Sequence, residues 1–325
     1  MKEGKLNGSI TATMTSTTLK PLYNTKLGSF FVGDSVKILD DLQFESYIGK
    51  VNLIFTSPPF PLVRKKKYGN FNGQVYIEWL ASFGPIFKEL LAKDGSLVIE
   101  MGNSWEFQSP TMTLTPILSL MELMKRNDFY LCQEFIWNNP SKLPSPVQWV
   151  NVERIRVKDA FTRIWWLSKS PNPKADNRRV LRKYSLSMEK LLETKKYTAG
   201  KRPSEHNIGK KSFLTNNNGS IPSNVLSIAN TSSTDHYQNY CRTKGIRLNP
   251  SRMPLKLAKF FINFLTEKDD LVLDPFAGSN VTGYVAEKNE RRWISIELDE
   301  KCANSSKYRF DSFRKQNPII QGGKA

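Results

Sequence analysis

Histidine and cysteine are scarce in this chain. Its 325 residues hold two histidines, His206 and His236, both in polar surroundings, and three widely spaced cysteines, Cys132, Cys241 and Cys302. That spacing spells neither a disulfide framework nor a zinc site, so no metal is expected. No apolar run reaches membrane-spanning length, and the opening residues lack the charged start and apolar middle of a signal peptide. A cytoplasmic protein without a membrane anchor is the expectation. Acidic residues are also few, 30 against 48 Lys and Arg, which leaves a net charge of +18. A protein that basic handles a polyanion. The excess is uneven: residues 151–250 carry 20 Lys or Arg and 7 Asp or Glu, a net +13. Against these shortages, 39% of the residues are hydrophobic and 11% aromatic, enough for a packed core of one large domain or two smaller ones.

Two stretches carry the chemistry. Val51-Asn52-Leu53-Ile54-Phe55 is a short apolar run that reads as a strand of a covered parallel sheet. Thr56-Ser57-Pro58-Pro59-Phe60 follows it. Each proline lacks an N–H and drives its predecessor out of the helical region, so the run ends in a stiff extended corner capped by an aromatic ring. Ser-Pro-Pro is also common in plain linkers. Further on, Leu271-Val272-Leu273 reads as a second buried strand, followed by Asp274-Pro275-Phe276-Ala277-Gly278-Ser279-Asn280 and a helix from Val281 to Ala286. Strand, small-residue turn and helix is an arrangement that holds nucleoside cofactors. About 17 residues beyond the turn, the strand Trp293-Ile294-Ser295-Ile296 ends in Glu297, an offset at which a carboxylate accepts from ribose hydroxyls. The turn is neither a dinucleotide G-x-G-x-x-G nor a P-loop.

The heptapeptide 274–280 resembles the S-adenosylmethionine motif of the amino-methylating DNA methyltransferases, and residues 56–60 resemble their catalytic motif. The catalytic motif comes first, as in the circularly permuted (beta) group. Ser57 at its first position is similar to the N4-cytosine enzymes, whereas the N6-adenine enzymes usually carry Asp there. The likeness covers about residues 28–170 and 248–310. None of the cysteines follows a proline as the nucleophile of the C5-cytosine methyltransferases does. The resemblance implies an α/β, class I S-adenosylmethionine-dependent methyltransferase sheet, doubly wound, mostly parallel and circularly permuted. In such a permutation the chain starts at the third strand and ends by supplying the first two. It implies a bacterial, site-specific DNA methyltransferase of a restriction-modification system that acts on double-stranded DNA. Likeness to one enzyme of the N4-cytosine group implies the inner cytosine of CAGCTG as target.

By the same resemblance, Ser57, Pro58, Pro59 and Phe60 are the catalytic residues. Asp34, Asp274, Phe276, Ala277, Gly278, Ser279, Asn280 and Glu297 are the cofactor-binding residues. Asp34 has a purely structural reading too, as cap of the next helix, and the two roles are compatible. Asn280 stands where the family usually has glycine, and Asn tolerates a positive φ. Asn249 stands where the family often has His, so only the covering segment carries over.

The rest of the chain sets the organisation. Residues 1–27 read as an N-terminal arm and 28–169 as the catalytic half: strands at 29–32, 96–101, 133–137 and 161–167, helices at 36–42, 76–92 (interrupted at Gly84-Pro85) and 114–126. The Trp165-Trp166 pair reads as core. The Pro-rich stretch Asn138–Pro146 is a loop that the resemblance places beside the target base. The basic run Arg64-Lys65-Lys66-Lys67 reads as a solvated loop or a phosphate clamp. From 170 to 247 the periodicity fails and basic clusters gather, among them Arg178-Arg179 and Arg182-Lys183. A basic insertion and a target-recognition region are the two readings, and the second supplies the reader that a site-specific enzyme needs. Residues 248–325 form the cofactor-binding half, with a helix at 255–265 and a frayed tail after Gln316. A monomer is expected. An N6-adenine methyltransferase, an RNA amino-methyltransferase and a non-catalytic DNA-binding protein on the same fold remain as alternatives.

Overall fold

The structure is a computed structural model, and it describes residues 19–61, 71–231, 235–246, 248–249 and 252–310. The expected tail after Gln316 and the basic run 64–67 lie outside these residues. In chain order the first half holds β1 (Tyr23–Asn24), β2 (Gly28–Val32), α1 (Ser35–Leu39), β3 (Val51–Thr56), α2 (Gly73–Ser82), α3 (Gly84–Leu90), β4 (Leu91–Gly102), α4 (Thr115–Asn127), β5 (Tyr130–Asn138) and β6 (Phe161–Ser168). The second half holds α5 (Leu186–Thr194), β7 (Gly200–Lys201), β8 (Asn207–Ile208), β9 (Val225–Ser227), α6 (His236–Thr243), α7 (Leu255–Leu265), β10 (Leu271–Asp274), α8 (Val281–Lys288), β11 (Arg292–Glu297) and α9 (Glu300–Ser306).

Nine strands form one sheet in the order β1-β2-β11-β10-β3-β4-β6-β5-β9, and β7 pairs with β8 in a separate ribbon. The five strands from β2 to β4 are parallel. β6 runs antiparallel to both β4 and β5. The permuted order holds: the last two strands of the chain insert between β2 and β3. From β3 the chain winds through α2 and α3 to β4, and from β10 it winds through α8 to β11 on the other side. The β3–β10 pair is therefore the switch point, where the outgoing connections part and leave a crevice at the carboxyl ends of the strands.

Both faces of the sheet are covered, which is why its strands read as continuous apolar runs. Ile54, Leu97, Ile99, Leu273 and Ile294 pack with α2, α3 and α4 on one face. Leu53, Phe55, Val98, Val272 and Trp293 pack with α7 and α8 on the other. On α7, Leu257, Ala258, Phe261, Ile262 and Leu265 are fully buried, the 3.6-residue stripe of a helix laid on a sheet. Trp165 and Trp166 lie in opposite cores as expected, and the Trp166 indole donates to Ser96 Oγ at 2.9 Å.

Three boundaries differ from the sequence reading. The helix expected at 76–92 is two helices, because Pro85 is tolerated only in a first turn, and α3 begins at Gly84. Residues 23–24 of the expected arm pair with β2, and the Tyr23 hydroxyl reaches Ser306. The segment expected as one recognition region is shared out. Lys174 bonds Asp270 at 3.0 Å, Asp176 N donates to Phe264 O, and β9 joins β5 in the main sheet. Arg182 and Ser220 exchange backbone hydrogen bonds and close a neck, so the protruding part is residues 183–219. These features lack the apolar periodicity by which a strand or helix is read from sequence.

Phe261 sits in tilted and edge-on ring contacts with Phe55, 5.3 Å, and Phe135, 5.1 Å. Phe261→Ala is expected to lower the unfolding free energy by about 3–5 kcal/mol. Urea denaturation checks this; an unmoved midpoint contradicts the packing described.

Candidate active site

The two sequence motifs meet at the carboxyl ends of β3 and β10. Thr56, the last residue of β3, donates from Oγ1 to Asp274 Oδ1 at 2.8 Å. Thr282, in the first turn of α8, donates to Asp274 Oδ2 at 2.6 Å, and Phe276 N donates to Oδ1 at 3.1 Å. Burial pushes the Asp274 carboxyl up to about 6, although all three hydrogen bonds pull the other way. Asp274 thus spends its acceptors on protein donors and shapes the turn; its expected part in cofactor binding is indirect.

The turn that follows is built for close approach. Gly278 has φ +52, and a Cβ there would lie 2.4 Å from Asn249 Nδ2. Gly278 N donates to Glu297 Oε2 at 2.7 Å and Asp299 N to Glu297 Oε1 at 2.8 Å. Burial raises the Glu297 carboxyl above its ordinary range. Asn280 adopts the left-handed conformation, φ 55 and ψ 48, as its amide permits. Its side chain is fully buried: Oδ1 accepts from Gly283 N and Ser295 Oγ, and Nδ2 donates to Tyr23 OH. Asn280 therefore caps α8 and holds the turn from below; it does not face the cavity. A backbone position that only Gly or Asn fills comfortably explains why it looks like part of the motif.

The corner is held from both ends. Ser57 lies just beyond the Thr56 anchor, and Pro61 O accepts from Ser104 Oγ at 2.6 Å. The Phe60 ring lies against the end of β4, where a Cβ on Gly102 would come within 2.5 Å of it. Ser57 hydrogen-bonds Glu100, a buried residue of β4 whose carboxyl burial pushes up to about 7. The Ser57 bond and the charge of Lys142 oppose that rise. Glu100 is absent from the sequence reading. Its signal was one acid in the otherwise apolar strand 96–101, a position that costs free energy unless the group has work or a partner there.

One cavity of about 750 Å³ joins these groups. Ser57, Pro58, Pro59 and Phe60 line it, with Asp34, Asp274, Phe276, Ala277, Gly278, Ser279 and Glu297. Asp34 also caps α1 by accepting from Val36 N at 2.9 Å, so its two readings coexist. Unforeseen lining residues come from α2, where Tyr76, Trp79 and Phe83 stand with Phe71; Trp79 meets Phe276 at 5.6 Å. Asn139 and Lys142 come from the expected loop beside β5. The basic residues fare differently. Arg179 is paired with Glu267 at 2.8 Å beside the C-terminal end of α7, at the amino edge of the sheet and away from the cavity. Arg178 is paired with Asp176 next to it at 2.8 Å. Neither stands at the site. Arg182 forms the neck, and Lys183 begins the protruding segment.

A doubly wound, permuted sheet with this paired site is the architecture of an amino-methylating DNA methyltransferase, and the sequence profile of the DNA methylase family matches residues 51–308. The chain belongs to that family. It is 45% identical over 293 residues to the type II methyltransferase M.PvuII of Proteus hauseri, covering 90% of this chain and 86% of that protein. The solved PvuII DNA methyltransferase (cytosine-N4-specific) superposes with a TM-score of 0.72 at 38% identity, covering 90% of this chain and 89% of the other. A DNA modification methylase from Thermus thermophilus, solved in complex with S-adenosyl-L-methionine, shares the fold at a TM-score of 0.51 and 18% identity, covering 90% and 96%. Among the described residues no helix is long and apolar enough to cross a membrane, and no cluster of His, Cys, Asp and Glu could hold a metal ion.

Asn280→Ala combines a strained left-handed backbone, a lost cap and an orphaned Ser295 hydroxyl. It is expected to cost about 2–4 kcal/mol. Asn280→Gly, free of the strain, costs less. Thermal unfolding of the two variants checks the order; equal losses would contradict it.

Proposed function

We propose that this protein transfers a methyl group from S-adenosylmethionine to the exocyclic N4 of a cytosine flipped out of duplex DNA. The site-specific reaction protects that DNA from a cognate restriction endonuclease. The observation that carries the reading is Ser57, set at the end of β3 against the cofactor turn with its hydroxyl bonded to a buried carboxylate, Glu100. Relatedness to a cytosine-N4-specific enzyme over nine-tenths of the chain supports it.

The residues present fit the cofactor. The cavity is within the usual range for small-ligand sites. Glu297 would hold the ribose hydroxyls and Asp34 the adenine amino group, and Gly278 leaves the backbone open to close approach. Phe276 and Trp79 would supply aromatic faces, which attract a cation. When bound, S-adenosylmethionine supplies an electrophilic methyl group on a sulfonium.

The chain's own work is on the amine. The N4 lone pair is delocalised into the pyrimidine ring, so the nitrogen must be oriented; orientation contributes roughly 7–11 kcal/mol in favourable cases. The Ser57 hydroxyl donates to Glu100, which leaves its lone pairs free to accept from N4–H. The Pro58 carbonyl accepts the second N4 hydrogen, and the Pro58-Pro59 backbone keeps both acceptors in place. Phe60 stacks on the base. Once the methyl group has moved, the surplus N4 proton passes through Ser57 to Glu100. A hydroxyl alone is a weak base; a carboxylate whose pKa lies near the working pH is a suitable acceptor.

Flipping a paired cytosine costs a few kcal/mol, which phosphate contacts offset. The basic segment 183–219, including Lys183 behind the Arg182 neck, serves as the target reader, and residues 64–67 as a phosphate clamp. A monomer suffices, because each strand of a palindrome can be methylated in its own event, and the work is done in the bacterial cytoplasm, where the DNA is.

The test is to incubate the protein with labelled S-adenosylmethionine and a duplex carrying CAGCTG, the target that the sequence resemblance implies, and then to digest to nucleosides. N4-methylcytosine is expected; N6-methyladenine would move the reading to the adenine enzymes. Glu297→Ala is expected to weaken S-adenosylmethionine binding tenfold or more, in line with the roughly 1.5–3 kcal/mol of hydrogen bonds to a charged group, while duplex affinity is kept. Calorimetry shows this, and an unchanged Kd would remove the ribose role.

Glu100 also sets a pH dependence. As proton acceptor it must be ionised, so kcat should climb as pH rises through about 7. The folded-state pKa is raised, so Glu100 favours folding below its unfolded value, roughly 4.3, and loses that contribution as pH rises toward 7. Glu100→Gln should lower kcat strongly, abolish the rise and flatten the stability profile over that window. Ser57→Ala should cut turnover sharply at unchanged duplex affinity. A Glu100→Gln enzyme with a wild-type pH–rate profile would exclude the relay.

A further inference from the structure

The mechanism leaves one buried cation unused. The Arg309 guanidinium lies beneath the cofactor turn, just past α9, with its side chain 2% exposed. Nε donates to Ser279 O at 2.5 Å and the second terminal nitrogen to Ser279 Oγ at 2.9 Å. The remaining nitrogen pairs with Asp235 Oδ2 at 3.0 Å. The plane lies over the Tyr237 ring, 4.0 Å from its centroid. Asp235 is the N-cap of α6, accepting from Tyr237 N at 3.1 Å. One guanidinium therefore fixes both a residue of the cofactor turn and the start of α6.

From α6 the polar contacts continue to the base side of the cavity. Gln238 Oε1 accepts from Arg252 at 3.0 Å, and Arg252 O accepts from Asn230 Nδ2 at 2.9 Å. Asn230 N in turn donates to Asn139 Oδ1 at 3.2 Å. Arg252, Asn230 and Asn139 line the cavity on the side of the loop after β5, whereas Ser279 lines it at the cofactor turn. Burying a guanidinium is costly without full pairing, so Arg309 has little freedom to release one partner and keep the other. Movement of the base-side rim would be felt at Ser279.

We propose that Arg309 is a positioning residue that couples the two ligands: target DNA held at the Asn139–Arg252 rim orders α6 and, through Asp235 and Arg309, the cofactor turn, so that cofactor and DNA tighten one another. By linkage the effect is reciprocal. The proposal rests on the reading of residues 276–279 as the cofactor turn.

The experiment is calorimetry of the full-length protein with S-adenosylhomocysteine, which cannot react, in the absence and presence of a duplex carrying CAGCTG. For the wild type the duplex is expected to lower Kd about 5-fold or more, the lower end of typical coupling. Asp235→Asn keeps the Ser279 contacts and weakens the link, so its Kd without DNA stays near the wild-type value while the enhancement falls towards one. Arg309→Met is expected to lose affinity even without DNA. If that variant melts below the assay temperature, Asp235→Asn decides alone. A merely structural role for Arg309 would leave the ratio of the two Kd values unmoved. A wild-type ratio of one, or a full ratio in Asp235→Asn, overturns the proposal. Glu297→Ala in the same assay separates the two failures: wild-type binding by that variant would sink the cofactor reading itself, whereas weakened binding with intact coupling in Asp235→Asn would sink only the link.

Discussion

The Asp274 carboxylate is the constraint on which the site depends. It accepts from Thr56 at the end of β3 and from Thr282 and Phe276 N around its own turn. Thr56 and Asp274 are 218 positions apart in the chain. Their bond joins the strand that delivers the serine corner to the strand that delivers the cofactor turn. In a buried site such a bond to a charged acceptor contributes about 1.5–3 kcal/mol, and leaving the acceptor unpaired costs more. The circular permutation makes this bond necessary: the two halves of the site are contributed by opposite ends of the fold, and nothing local holds them in register.

Three buried carboxylates surround one cavity in a chain of net charge +18, and their environments separate their work. Asp274 is saturated by protein donors and acts as a strut. Glu297 faces the cavity while both its oxygens hold backbone amides, so it is poised for a ligand with hydroxyl donors. Glu100 is tied to Ser57 and is the carboxylate pushed furthest up, to about 7. Desolvation raises all three; the number and kind of donors decide where each ends.

The basic residues show how far charge can be read without coordinates. The uneven charge pointed correctly to a polyanion, since the chain belongs to a DNA methylase family. Which arginines meet that polyanion was another matter. Arg179 is spent on Glu267 and on the end of α7. Arg309, a single cation near the end of the described chain, sits at the cofactor turn. A Lys or Arg count is additive along a sequence, whereas ion pairing depends on which acid the fold brings within hydrogen-bonding reach.

The sequence by itself determined the parallel, two-face-covered sheet, the permuted order and the positions of the serine corner and the cofactor turn. Each of these rests on local physics: apolar runs too short for helices, prolines that stop a strand, a small-residue turn before a helix, and an acid one strand further on. Tertiary structure alone decided that Asp274 and Asn280 shape the turn from within, that Glu100 stands behind Ser57, and that α2 lends aromatic walls. It also decided that residues 225–227 complete the sheet and that α6 docks on the cofactor half. These depend on pairings between residues tens to hundreds of positions apart, which leave no periodicity along the chain. Only burial, by removing water as the alternative partner, makes such pairings decisive.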